Sequence, residues 1–337
     1  MTVVNEVVMA LDHLTGGRVV HSPNWNSQMK HPFVIWKNSG ISGKEILEKP
    51  GLVYGDLNRT VKKLAVCMTL SEHDIELALA TGVDAIVAHH PIADAASSGG
   101  VTLKNYLSLY DIAVLELHEA FHGLHPGIPF LHGHKVIFKD VHYGGKEGNV
   151  LFAGTVLPEV RVLGDILWRI DSFMGGDDEE ILLKTEQEIR GISSIADAST
   201  VTRGRIVLGT AETPVKNILH IFPHTGFSTC DLRRAKEQFP ETDTVVASIS
   251  RVRDESELIR EASNLGLNFV IGNSHVLEIY ENGLPLAYAL DELLPEVEVV
   301  VFRERVTSIP VREMGGARLK EYAKTMATNY LVKKVRV

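Results

Sequence analysis

The stretch "TGVDAIVAHHPI", residues 81–92, decides the fold. Ala85, Ile86, Val87 and Ala88 form an apolar run that stops at His89, His90 and Pro91. A short run with no polar interruption reads as a strand covered on both faces, as in a parallel sheet. Its surroundings agree. "VKKLAVCM" (61–68) is a strand. "SEHDIELALATG" (71–82) is a helix, with Ser71 to cap it and Gly82 to end it. "LKNYLSLY" is helical, and "IAVLEL" (112–117) is a third apolar run. Strand, helix, strand, helix, strand implies a βαβ sheet with right-handed crossovers, hence an α/β fold.

Ligands in such sheets gather at the carboxyl ends of the strands. His89 and His90 end the second strand and His118 follows the third, so all three fall at one edge. Eight of the fifteen histidines lie between positions 89 and 142. Neutral imidazole is the commonest side-chain metal ligand. Successive side chains on a strand point to opposite faces. His89 and His90 therefore share a metal only if the chain turns after the strand, and otherwise address two. Pro91 holds His90 out of helical geometry. The ordinary alternative is a pair of loop histidines bonded to water.

Downstream, "HEAFH" (118–122) matches H-E-x-x-H, which on a helix would make His118 and His122 zinc ligands and Glu119 the general base of a metalloprotease. Gly123 and Pro126 would break such a helix, and this reading leaves His89 and His90 unexplained. His125, His132, His134 and His142 fall in a Gly/Pro-rich stretch and read as mostly solvent-facing. "GNSHVLEIYENG" (272–283) offers His275, Glu278 and Glu281 as ligands, or simply a helix start with solvated acids.

A second α/β pattern begins at Val215. "VKKLAV" resembles "VKNILH", and "TGVDAIVAHHP" resembles "LGLNFVIGNSH", placing Gly82 over Gly266 and Pro91 over His275. The expected fold is two related α/β lobes, each a three-layer βαβ-type sheet, with a metal site between them. Residues 1–150 form the first lobe, with an irregular insert near 17–50 in which "SGKEILEK" is a short helix. Residues 151–214 connect, and 215–337 complete the site. "FPHTGFS" (222–228) is a small-residue loop at a strand end, usable for substrate contact.

Bulk properties narrow the class. Net charge is −9 with no basic stripe, which argues against nucleic-acid binding. Cys67 and Cys230 lie far apart, so neither a disulfide framework nor a thiolate zinc site is expected. No signal peptide and no 18-residue apolar run are present, so a cytoplasmic protein without a membrane span is expected.

Taken in order, the segments resemble the NIF-three-like family, also described as GTP cyclohydrolase I type 2-like dinuclear-metal proteins. The resemblance rests on "GLVYGDLNRTVKKLAV" (51–66), the strand ending in His-His-Pro, "LHEAFH" and "GNSHVLEIYENGLPLAYAL", and covers about 51–165 and 215–305. It implies a two-lobed fold, a di-metal site between the lobes and a toroidal homohexamer. The ligands it carries over are His89, His90, His118, His275 and a C-terminal glutamate, Glu278 in preference to Glu281. Three departures matter, one of them the extra chain at 17–50. His122 stands where the family has an aspartate, and His275 is three residues from Glu278 where the family spacing is four. A site richer in nitrogen favours zinc or another later transition metal over magnesium or calcium.

The expected function is metal-dependent hydrolysis of an unidentified small molecule, with one or two divalent ions activating water. Glu119 and Glu281 are the candidates for moving protons. A nucleotide or phosphoester substrate is a lean from the resemblance alone. The alternatives are a non-catalytic metal-binding regulatory or scaffold protein and the H-E-x-x-H protease.

Overall fold

The computed structural model describes residues 1–21, 31–38, 45–91, 106–146, 148–198, 203–249 and 252–328. Its strands, in chain order, are β1 (Ile35–Asn38), β2 (Glu45–Glu48), β3 (Gly51–Tyr54), β4 (Lys63–Cys67), β5 (Ala85–Ala88), β6 (Ala113–Glu116), β7 (His134–Asp140), β8 (Leu151–Val156), β9 (Ala196–Asp197), β10 (Arg205–Leu208), β11 (Asn217–Ile221), β12 (Thr244–Ile249), β13 (Asn268–Ser274), β14 (Glu298–Val301) and β15 (Thr307–Ser308). Two sheets carry the fold, a five-stranded one in the order β14-β4-β5-β6-β3 and a six-stranded one in the order β10-β13-β12-β11-β8-β7.

The apolar runs form strands because both their faces are buried. On one face of the five-stranded sheet, Leu64, Val66, Val87 and Leu115 pack in a core with residues of the helices Val4–Thr15 and Leu284–Leu293. On the other, Ala65, Cys67, Ile86 and Val114 pack with Ile75 and Ala78 of the helix Glu72–Thr81. The six-stranded sheet repeats this. Leu219, Val245 and Phe269 face the helices Thr229–Gln238 and Glu257–Asn264, while Ile218, Val246 and Val270 face Leu163–Met174. Each sheet is thus the middle of three layers, as the strand alternation requires.

The two sheets are built alike. After β4, Ser71 and Asp74 form a reciprocal capping box, and after β11 so do Ser228 and Asp231. Asp84 accepts from the backbone N–H groups of Lys62 and Lys63 at 2.8 and 3.1 Å. Asp243 does the same for Lys216 and Asn217 at 2.9 and 3.0 Å. β5 and β12 are therefore counterparts. With Leu64 opposite Ala85 and Ile218 opposite Thr244, His89 and His90 correspond to Ser248 and Ile249. This corrects the sequence echo, which set the His-His strand against β13. The counterpart of β13 is β6, each bordered by an antiparallel strand (β10 or β3), so the strand ends bearing His275 and His118 correspond. Both candidate strands are equally apolar, and only the pairing partners distinguish them.

Other expectations also change. Residues 45–48, read as part of a short helix, form β2, which pairs antiparallel with β1. The stretch around 134–140, read as loop, is β7, and Gly176–Arg190 is a helix. Sheet membership crosses the divisions read from the sequence, because β7 joins the six-stranded sheet and β14 runs parallel beside β4 in the five-stranded one. No helix among the described residues is long and apolar enough to cross a membrane.

Candidate metal centre

Backbone pairing carries the first histidines to the sheet edge. The N–H of His89 donates to Cys67 and that of His90 to Met68, at 3.0 and 2.7 Å, so the β5–β4 ladder continues through both residues. The strand then stops at Pro91, which has no N–H to donate. β6 ends at Glu116, and residues 118–122 form turns in place of the helix an H-E-x-x-H protease needs. The physical reason is local. β6 is committed to pairing with β3 and β5 on either side, and Gly123 at φ +70° turns the chain away immediately afterwards.

The third contribution follows β13. A one-turn 3-10 segment, His275–Leu277, leads into a π-turn, Ile279–Gly283. Such wide turns favour functional positions because they re-aim side chains. Here Glu278 and Asn282 fall on the cleft side, with Asn282 Nδ2 donating to Glu278 Oε1 at 2.8 Å. Glu281 falls on the opposite side and accepts from Asn273 Nδ2 at 2.8 Å.

The convergence is tight. His90 Nε2 lies 3.0 Å from His275 Nε2, and Glu278 Oε2 lies 3.2 and 3.3 Å from these two nitrogens. Ligands about 2.0 Å from a tetrahedral metal stand roughly 3.3 Å apart, so this triangle has the size of a coordination face. A second group, His89, His118 and His122, brings ring nitrogens within 4.8 Å of one another. Glu278 joins the two, since its Oε1 faces His89 Nε2 at 3.3 Å while its Oε2 faces His90 and His275.

Each of four rings has its Nδ1 engaged elsewhere. His89 Nδ1 meets the Leu117 carbonyl at 2.9 Å and His90 Nδ1 meets Thr69 Oγ1 at 2.6 Å. His118 Nδ1 meets Glu48 Oε2 at 3.1 Å, and His122 Nδ1 meets Glu119 Oε2 at 3.3 Å. That leaves Nε2 for a metal, and carboxylate or carbonyl contacts on the far nitrogen are what fix a ligating imidazole. The donor set fits one or two divalent ions on this ground.

Electrostatics point the same way. Burial, with His122 close by, holds His118 well below the ordinary histidine range. Burial also lowers His89, against the pull of Glu278. Burial would lower His122 too, but Glu119, Glu278 and Glu48 together outweigh it and raise that ring. Burial alone would raise the Glu278 carboxyl, yet hydrogen bonds from His275, His89 and His90 hold it well below the usual range. The lowered His118 and His89 beside an ionised Glu278 suit metal binding, whereas the raised His122 has a proton to give up on binding.

The predicted residues therefore separate. His89, His90, His118, His122, His275 and Glu278 come together. Glu119 lies beside them, oriented on His122 and 3.8 Å from His118. Glu281 does not line the cleft. It is fully buried, and Asn273 only partly offsets the burial and nearby Glu278 that push its carboxyl up to about 8. His132 and His134, read as solvent-facing, are fully buried in the core of the six-stranded sheet, while His142 is exposed. His125 and His224 line the cleft, as does Glu48. Glu48 escapes sequence reasoning because nothing local distinguishes it from the other acids of its segment. His224 carried one signal, its place just after the apolar strand "VKNILHIF".

Glu48→Gln keeps the shape of the side chain but replaces a charged acceptor with a neutral one. We expect metal affinity to fall about 10- to 100-fold with the fold intact, as removal of such supporting carboxylates does. Titration against a competing chelator measures it, and unchanged affinity would remove Glu48 from the centre.

Comparison with known proteins bears on one stretch of the sequence and on the fold. Residues 37–99, which include β5 and its histidine pair, match the family model of Duf34/NIF3 (NGG1p interacting factor 3). That stretch of the chain is similar to the NIF3 family. A Bacillus cereus protein related to NIF3 shares the fold of this chain with a TM-score of 0.56 at 13% identity, over 90% of this chain and 97% of that one. A Thermus thermophilus protein gives 0.54 at 14% identity, over 90% and 99%. Reduced HcgD from Methanocaldococcus jannaschii gives 0.52 at 17% identity, over 75% and 88%. No curated protein matches the chain significantly.

Proposed function

We propose that the protein is a metal-dependent hydrolase acting on a small molecule bound between its two sheets. One observation carries the reading: the coordination-sized triangle of His90, His275 and Glu278, joined through Glu278 to His89, His118 and His122, lines a cleft of about 730 Å³. That volume lies within the range of small-molecule sites. A divalent ion held there supplies Lewis acidity and brings the pKa of water toward about 7. The nitrogen-rich ligand set favours zinc or another later transition metal.

The chain's own residues have separable tasks. Glu278 supplies the negative charge common to both groups. Thr69, Glu48 and Glu119 orient the rings of His90, His118 and His122. Glu119 is directed at His122, so the proton-moving task passes to His224, which lines the cleft with its ring 5.2 Å from that of His275. Burial and the neighbouring His275 lower His224 to about 4, so it enters the reaction neutral.

The test has two stages. Elemental analysis of protein purified without chelators is expected to find at least one transition metal per chain, lost in the His89→Ala/His90→Ala double variant. A panel of amides, cyclic amidines, esters and phosphoesters is then expected to yield at least one hydrolysis that follows metal content. Metal-free protein would overturn the reading at the first stage. Full metal content without turnover would favour a metal-holding regulatory protein.

A further inference from the structure

The cleft has a second wall that the metal centre does not use. Ile128, Val150, Phe152, Phe222 and Ile249 are buried together as one apolar cluster, and all five line the cleft that also holds His90, His118 and Glu278. The Phe152 and Phe222 rings meet edge to face, with centroids 5.9 Å apart. This wall comes from the six-stranded sheet and its neighbours, opposite the β5 and β6 ends that carry most of the histidines.

Ile249 marks the wall as more than leftover core. Its φ is +61°, a left-handed conformation that β-branched residues avoid. The pairing of β12 with β13 slips between Ala247 and Ile249, which lets the strand end turn this way. Backbone strain of this kind concentrates at ligand-binding positions. Ile249 is also the counterpart of His90 in the other half of the molecule. The same strand-end position therefore delivers a metal-facing imidazole from one sheet and a branched alkyl group from the other, into one cleft. Among its described lining residues the cleft has no lysine or arginine.

We infer that the wall of Ile128, Phe152, Phe222 and Ile249 is a binding subsite for a flat, uncharged aromatic ring whose polar head reaches the histidine centre. A ring of that kind offers its edge and faces to Phe222 and Phe152, where aromatic pairing adds to simple burial. The inference rests on the cleft being the substrate site, as proposed above.

The experiment compares two ligands with the same chelating head. Calorimetric titration of metal-loaded protein with benzohydroxamate and acetohydroxamate is expected to show at least tenfold tighter binding of the aromatic one. Phe222→Ala is expected to bring the two within threefold while leaving acetohydroxamate binding within twofold of the parent. Phe222→Leu, which keeps most of the volume and removes the ring, is expected to fall between, and it decides the matter if Phe222→Ala does not fold. Equal binding of the two hydroxamates overturns the inference, as does an aromatic preference that survives both variants. Metal uptake measured beforehand separates this failure from failure of the hydrolase reading. If no metal binds, 1-naphthol is titrated instead, and the absence of Phe222-dependent binding overturns the inference directly.

Discussion

Replacing Glu278 with glutamine should strip metal from both halves of the centre at once. Glu278 is the carboxylate the two histidine groups share, with one oxygen toward His89 and the other toward His90 and His275. Glutamine keeps the volume and removes the charge, so the remaining ligands would be neutral imidazoles facing a divalent cation without compensation. The expected loss of affinity is at least about 100-fold, or roughly 2.7 kcal/mol. Metal per chain after dialysis should drop from at least one to below about one tenth. Glu281→Gln is the control. That carboxyl, raised to about 8, is already largely protonated at neutral pH and faces Asn273, so metal content should be unchanged. If the two variants exchange these outcomes, the assignment of Glu278 is wrong.

The second large effect is acid sensitivity of the metal-free protein. His132, His134 and His220 are fully buried, with the His220 ring 4.7 Å from that of His132 and 5.1 Å from that of His134. Burial lowers His132 to about 4. Burial and His132 together lower His134 to about 3, and burial with both neighbours puts His220 well below the ordinary range. The neutral state is built in. His132 Nε2 accepts from the backbone N–H of Asn273 at 3.1 Å, and the ring fits only because Gly272 has no Cβ, which would sit 2.3 Å from Nε2. The sign follows from linkage. Below about 6.5 the unfolded chain takes up protons at these rings while the folded chain does not, so stability is full above 6.5 and falls as pH falls toward 4 and 3. The loss approaches about 3 kcal/mol for His132 and more for His134. Glu281, between about 4.5 and 8, and His122 act with the opposite sign, while the lowered His89, His118 and His224 add to the loss from these three rings. Urea melts from pH 7.5 to 4.5 in the presence of a chelator should show the decline, and His134→Leu should flatten it. A pH-independent midpoint would mean the three rings are not held neutral.

How legible this was depended on whether the signal was local. The strands around 61–68, 84–89 and 112–117 announced themselves through uninterrupted apolar runs, and Ser71 and Gly82 bracketed the helix between them. His89, His90, His118 and His275 could be placed at strand ends by the same logic. What could not be read was pairing. β5 and β13 look alike as strings, and only the Asp84 and Asp243 contacts show that β5 matches β12. The side of the chain that Glu278 faces depends on a π-turn, and no three- or four-residue spacing encodes that. His132 and His134 carry the same composition as a polar loop, and their burial appears only when β7 is placed against β8. Glu48 reaches His118 across 70 positions of sequence, beyond any local pattern.

The place of β14 has a consequence for synthesis. β4, the strand that leads into the His-His segment, is flanked on one side by β5 and on the other by a strand from residues 298–301. A ribosome delivers that partner only after the whole six-stranded sheet has emerged. Until then β4 is an open edge, the kind of surface that recruits foreign strands. The long sequence separation also makes closure a late step, after the loop entropy has been lost. Chains truncated before residue 298 should therefore be prone to aggregate and to lean on chaperones, while released full-length chains should not. His275 and Glu278 also emerge late, so metal loading and completion of the first sheet belong to the same final stage of biogenesis.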